Sequence, residues 1–331
     1  MKQYAPAYYD RFRCIAAACT DSCCKEWEVD VDADAAAYYR TLPGALGDRL
    51  RQVLRDTEDG TVMTIENGRC PMWRQDGLCR IQAQLGHDAL CAVCRDFPRL
   101  RHDYGDFVEL GLELSCPEAA RLILTSDDSS IQCTELPGGE TAEYDGEAMS
   151  VLRRSREEVL RFLADSRFSV PQILAILLLY AHDVQNELDG GPAADFEPTQ
   201  LLRDGEKYAK PAQMEQIFDF FKKLEILTPE WRSRLECGPK DMIWTEQYRA
   251  LIRYFVLRYW LQAVSDYDLV SRAKLTVIAC LLINALGGDM VQTAQQFSKE
   301  IENDPDNVEA ILDGAYSSPA FTDVQLLGLL L

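Results

Sequence analysis

Histidine is nearly missing from this chain of 331 residues, which holds only His87, His102 and His182. A hydrolytic zinc centre built on imidazoles therefore has little material. Positive charge is short as well: 34 Lys and Arg stand against 54 Asp and Glu, for a formal net charge of -20 and a pI near 4.6. Such a field repels a phosphate backbone, so nucleic acid is not an expected partner. Long apolar runs are lacking too. The most apolar stretches, around Ile173–Ala181 and Leu275–Leu286, fall short of the roughly 18–20 residues that cross a bilayer; both read as core helices, and no membrane partner is expected. The first residues, MKQYAPAYYDRFRCIAAACT, contain no uninterrupted apolar segment, so no secretory signal is read there and the expected compartment is the cytoplasm. A strand, glycine-rich turn and helix of the dinucleotide-binding type is also missing. Gly44-x2-Gly47 and Gly138-Gly139 follow no convincing strand and read as loop glycines.

Cysteine is what the chain has in excess. Nine of its twelve cysteines fall between Cys14 and Cys116, as Cys14-x4-Cys19-x3-Cys23-Cys24 followed by Cys70, Cys79, Cys91, Cys94 and Cys116. Thiols this dense serve as disulfides or as thiolate ligands, and a reducing compartment selects the second use. With so little histidine, ligation must be dominated by sulfur. All-thiolate sets suit structural zinc or an iron–sulfur cluster, which spacing alone does not separate. One such centre takes about four ligands, so some of the nine are spare or there is a second site. Cys91-x2-Cys94 has a chelating spacing, though by itself it is also compatible with two residues facing a core. The radical S-adenosylmethionine pattern Cys-x3-Cys-x2-Cys fails twice: Glu26 stands where a third cysteine would follow Cys23, and His87 where one would precede Cys91.

The local pattern in this region is of short elements. Asp32 or Asp34 can cap a helix over Ala35–Arg40, and Gly44–Arg55 has helical periodicity. Thr61–Glu66 reads as a short strand leading into the Asn67-Gly68 turn. Asp76-Gly77 turns the chain between Cys70 and Cys79, bringing both thiols together across a small hairpin. Asp88–Phe97 reads as a helix ended by Pro98, with Cys91 and Cys94 on one face. Arg99–Ser115 reads as two strands around Tyr104-Gly105, and Cys116-Pro117 as a helix start, where a thiolate is stabilised.

Taken in order, Cys19-x3-Cys23-Cys24-x2-Trp27, Cys70-Pro71, Gly77-Leu78-Cys79-x-Ile81-Gln82-x2-Leu85-Gly86, Cys94-x2-Phe97-Pro98-Arg99 and Leu114-Ser115-Cys116-Pro117-Glu118-Ala119-Ala120 resemble the flagellin lysine-N-methylase family over roughly residues 10–125. The framework is also similar to a broader group of cysteine-rich zinc- or iron-chelating domains. The resemblance implies methyl transfer from S-adenosylmethionine to lysines of flagellin or a similar protein, with a [4Fe-4S] cluster, or alternatively Zn2+, held by the cysteines. Carried over by position, the metal set is Cys19, Cys23, Cys24, Cys70, Cys79, Cys94 and Cys116; Cys91 lies outside the matched motifs. Catalytic and S-adenosylmethionine-binding residues are not identified. Tyr4, Tyr8, Tyr9, Tyr104, Trp27, Arg95 and Arg99 flank the cysteines, with packing or surface ion pairing as their plainer explanation.

Two units are expected, a cysteine-rich metal-binding domain over 1–130 and an α-helical domain over 146–331, with residues 126–145 as a linker. The expected fold class is mainly α: an N-terminal α+β part with short hairpins, then a helical bundle. Helices are read at Met149–Leu163, Pro171–Leu188, Met214–Leu227, Glu246–Val264, Ala273–Ala285 and Val291–Glu302, with breaks at Gly190-Gly191, Pro229, Gly287-Gly288 and Pro305. Cys133, Cys237 and Cys280 read as core packing. The interface between the two parts is the expected cofactor pocket. Two readings from other classes stay open: a metal-binding module that is not an enzyme, and an iron–sulfur redox or sensor protein.

Overall fold

Aspartate caps start several helices. The Asp32 carboxylate accepts the Ala35 amide at 2.9 Å and opens the helix Ala33–Thr41, while Asp145 does the same for Gly146–Phe162 and Asp268 for Leu269–Leu286. The structure, a computed structural model, describes residues 1–138 and 142–331; Gly139 of the Gly138-Gly139 pair lies outside the described residues. The fold is mainly α with small sheets.

Among the described residues seven strands run in chain order: β1 Lys2–Pro6, β2 Val29–Val31, β3 Leu54–Asp56, β4 Thr61–Met63, β5 Arg99–Asp103, β6 Phe107–Leu112 and β7 Ile131–Glu135. One sheet has the order β5-β6-β1-β7, with β1 parallel to β6 and antiparallel to β7. The other is antiparallel, ordered β2-β4-β3. Strand β7 lies inside the stretch expected to be a linker. Ile131–Glu135 is drawn into the sheet because β1 offers it a full ladder, Lys2 opposite Glu135 through Pro6 opposite Ile131.

The apolar side chains form two cores. The smaller uses residues between Val29 and Cys91, including Val31, Tyr39, Leu50, Met63, Met72 and Ile81. The larger takes Tyr8 and Phe12, the sheet residues Phe107 and Leu112, the helix Pro117–Thr125, and the helical half from Ala148 to Leu330. Its centre is Leu269–Leu286, packed against Val170–Leu188 and Pro305–Ser317, with every residue of the helix buried. That helix is long and apolar enough to match a membrane span, yet here its surroundings are protein on all sides.

Several expected helices have different bounds. Met214–Leu227 is helical only over Glu215–Phe221. Pro229 and Pro305 open the helices Pro229–Glu236 and Pro305–Ser317, because a first-turn proline gives up no intrahelical bond. Gly47 lies within the helix Gly44–Val53 and is not a loop glycine: a Cβ there would lie 1.8 Å from the Leu42 carbonyl oxygen. Helix Met290–Phe297 continues into a π-helical turn, Ser298–Glu302, whose five residues are all buried. Cys280 is buried as expected, but Cys133 and Cys237 are exposed, the first on the sheet-edge strand β7 and the second at the end of Pro229–Glu236.

Candidate metal centre

The Cys70–Cys79 segment is a knuckle. Trp73 N–H donates to Cys70 O at 2.9 Å, Arg74 N–H to Leu78 O at 2.9 Å, and Gly77, at φ +79°, makes the turn. Cys70 N–H then donates to Cys24 O at 2.8 Å, which joins the knuckle to the Cys23-Cys24 pair. Cys79 and Cys91 each sit at the start of a short helix, Arg80–Leu85 and Ala92–Asp96, and Cys116 at the start of Pro117–Thr125. Cys91 precedes the helix, where a face shared with Cys94 was expected, because the chain from His87 to Ala89 forms a separate tight turn.

Backbone amides aim at these sulfurs. Asp21 N–H serves Cys19, Met72 serves Cys70, Ile81 and Gln82 serve Cys79, Cys94 serves Cys91, and Glu118 and Ala119 serve Cys116. Ala16 N–H lies 3.4 Å from the Cys14 sulfur. Each donor favours a thiolate over a thiol. Burial acts against them. It pushes Cys19 and Cys79 up, and Cys116 to about 12.

Thiol neighbours set the rest. Cys23 is raised chiefly by its interaction with Cys24. Cys24 is pulled down by Cys23 but pushed up to about 12 by Cys70 and burial. Cys70 is lowered by Cys24. Cys91 is lowered by the side-chain bond from Cys94, and Cys94 is raised by the same bond.

Of the seven sulfurs expected as ligands, Cys24, Cys70, Cys79 and Cys94 pack on the smaller core, and Cys23, exposed at its edge, interacts with Cys24 and Cys79. Cys116 stands apart, interacting with Cys19 and Cys14 and packing on the larger core, while Cys19 interacts with Cys14 on that side and with Cys23 of the first group. Cys91, which no matched motif contained, joins the first group; its spacing to Cys94 was the signal for it. Thiol–thiol interactions link Cys23, Cys24 and Cys70 and, separately, Cys91 and Cys94, and a thiophilic metal competes for the protons of those thiols. The donor chemistry fits a thiolate-bound zinc or cluster. Among the described residues, however, no three Cys, His, Asp or Glu side chains stand in metal-ligand geometry.

The flanking residues chiefly pack. Tyr8 is buried, Tyr104 stacks on Phe107 at 4.7 Å, and Tyr4 meets Phe107 edge-on at 6.0 Å. The Arg99 guanidinium lies over the Tyr9 and Phe12 rings, and Arg95 pairs with Asp96 at 3.3 Å. The cavity beside Tyr4, Tyr8 and His102, at about 40 Å³, is too small for a nucleoside cofactor. A cleft of about 430 Å³ lies where the small core meets the helical half, with Trp27, Val93 and Phe97 on one side and Glu225, Leu227, Lys299, Glu300 and 302–305 on the other. It adjoins Cys24 and Cys94 in sequence on the cysteine side.

A second element ties the two parts together. Lys299, in the π-helical turn, reaches Asp21 at 2.9 Å and Glu26 at 2.6 Å, on either side of the Cys23-Cys24 pair, and lies 5.2 Å from the centre of the Trp27 ring. Sequence reasoning missed this residue, since nothing in its local pattern marks a lysine as buried.

Part of the chain is similar in sequence to proteins of Salmonella. The chain is 32% identical over 137 residues to "Flagellar biosynthetic protein FliU" of Salmonella muenchen, covering 38% of this chain and 78% of that protein. It belongs to the flagellin lysine-N-methylase family. A "Lysine-N-methylase" of Salmonella typhimurium is 33% identical over 131 residues, and one of Salmonella choleraesuis 31% over 137 residues. The match spans 38% of this chain but only 33% of each of those two relatives. No family model matches the chain, and no solved structure does. Family membership thus rests on the shared sequence, and the geometry above describes this member on its own terms.

Proposed function

We propose that the chain is a cytoplasmic, S-adenosylmethionine-dependent protein-lysine N-methyltransferase that acts on flagellin or a similar protein and carries a [4Fe-4S] cluster. The observation that carries this reading is the gathering of Cys24, Cys70, Cys79, Cys91 and Cys94 on one small core, in a chain of this family. Cys70, Cys79 and Cys91 would hold the cluster, each with a backbone N–H supporting its thiolate, and Cys24 or Cys94 would complete it. When bound, S-adenosylmethionine supplies an electrophilic methyl group. The residues of this chain have then to exclude water, align a neutral amine with that methyl, and accept the proton the amine gives up. Glu113 lines the cleft, and burial raises its pKa despite Arg258 at 3.7 Å, which makes it a better proton acceptor than an exposed carboxylate.

A specific observation favours a second reading, a metal-binding module without enzymatic activity: the likeness to the lysine-N-methylases covers only a third of their length. One experiment separates the two. Protein prepared anaerobically is analysed for iron, zinc and acid-labile sulfide, titrated with S-adenosylmethionine, and incubated with flagellin. Methyl-lysine together with S-adenosylhomocysteine supports polar methyl transfer. Zinc without sulfide overturns the cluster, stoichiometric 5′-deoxyadenosine overturns the polar mechanism, and metal without cofactor binding or methylation supports the module.

A further inference from the structure

The cleft between the two parts is lined by six carboxylates, Glu28, Glu113, Glu225, Glu300, Glu302 and Asp304, and by one cation, Lys299. That cation is already committed to Asp21 and Glu26. Four of the carboxylates are committed too, Asp304 by accepting the Asp306 and Asn307 amides as the cap of Pro305–Ser317. Glu302 accepts the Tyr254 and Tyr259 hydroxyls and pairs with Arg258 at 3.3 Å; Glu113 shares Arg258; Glu300 accepts the Thr228 hydroxyl and the Leu227 amide. The Glu225 carboxylate has no hydrogen-bond or ion-pair partner among the described residues, its contacts running through its backbone to Asn307. Glu28 meets Arg55 only at an exposed site, at 3.1 Å. The cleft thus keeps the Glu225 charge uncompensated and the Glu28 charge paired only with exposed Arg55, beside the apolar surfaces of Trp27, Val93 and Phe97.

This combination selects among ligands. S-adenosylmethionine carries a carboxylate, and among the described residues no cation lining the cleft is free to receive it. A lysine side chain needs what is present: apolar wall for its methylene stem and anionic groups for its ammonium. Trp27 already carries the Lys299 ammonium near its ring, so the indole suits a lysine cation. We propose that this cleft receives a lysine side chain presented by a protein partner. The choice of lysine among possible cations rests on the methyl-transfer reading.

The test is binding, not turnover. A flagellin peptide with one lysine is titrated calorimetrically into the protein, alongside the same peptide with norleucine or glutamine in its place. The lysine peptide is expected to bind most tightly and to weaken with added salt, and the combined change Glu28→Gln and Glu225→Gln to weaken it about tenfold, with the norleucine peptide and S-adenosylmethionine unaffected. Both residues are exposed, so circular dichroism should show the fold retained; Trp27→Phe should keep the binding that Trp27→Ala loses. Equal binding of lysine and norleucine peptides, or no effect of the double variant, overturns the proposal. A double variant that loses S-adenosylmethionine instead overturns it by giving the cleft to the donor. Charge-dependent lysine binding without methyl transfer supports the cleft while overturning the enzymatic reading.

Discussion

Lys299 and Asp21 are 278 residues apart in sequence and 2.9 Å apart in space. The lysine side chain is 5% exposed, and it holds the loop between Cys19 and Cys24 against the helical half. Replacing it with methionine keeps the volume and removes the charge, leaving Asp21 and Glu26 to face each other. Lys299→Met is expected to cost about 1–3 kcal/mol, because both carboxylates retain some access to water. Urea unfolding checks this, with Lys207→Met as the exposed control. The Lys207 pair with Asp204 is on the surface, and its loss should change stability by less than about 1 kcal/mol.

Phe297 is fully buried, with its ring 6.1 Å from Phe255, 6.3 Å from Phe221 and 6.4 Å from Trp231. Phe297→Ala should lose about 3–5 kcal/mol by leaving a cavity among rings that cannot close over it. Ile243, 73% exposed, should tolerate alanine within about 0.5 kcal/mol in the same urea titration.

Asp323 lies 3.1 Å from His182 and 3.0 Å from Lys274. Burial alone would raise its pKa, but these two neighbours outweigh burial and hold it below the ordinary carboxylate value. A depressed folded pKa contributes stability above the unfolded pKa, and that contribution disappears as pH falls through the folded one. The stability gap between the wild type and Asp323→Asn should therefore be open near neutrality and close in acid. The site is about one-third exposed, so the gap should stay under about 1 kcal/mol. A gap that widens in acid would contradict the pairing.

Cys133 and Cys237 are exposed and Cys280 is fully buried, its pKa raised by burial. Brief alkylation of native protein, read by peptide mass spectrometry, should label the first two and spare the third until denaturant is added. On the proposed ligation, serine at Cys133 or Cys237 should leave metal content unchanged, whereas serine at Cys79 or Cys91 should remove it.

The legible features of the sequence were those with local causes. The Cys70–Cys79 knuckle followed from Asp76-Gly77, the helix at Cys116 from Pro117, and the long helices of the second half from three- and four-residue spacing. Strand β1 was missed because its pairing partners lie more than a hundred residues away, so nothing in Lys2–Pro6 reveals the ladder. Pro229 and Pro305 were read as stops because a proline marks a helix boundary without saying on which side the helix lies. The cleft and the Lys299 contacts were not legible at all. Their residues come from both ends of the chain, and only the fold brings Trp27 to Glu225.

The small core lies in the chain between β1 and β5, as a loop whose two ends return to the same sheet. A growing polypeptide has all the residues of that core once Cys94 has emerged, whereas β1 must wait for β6 and β7, and the larger core for Leu330. Domains tend to fold in the order in which they are synthesised. The thiol-bearing core can therefore assemble first, with its sulfurs accessible, and the helical half then closes over the Cys19–Cys24 loop as the last fastening.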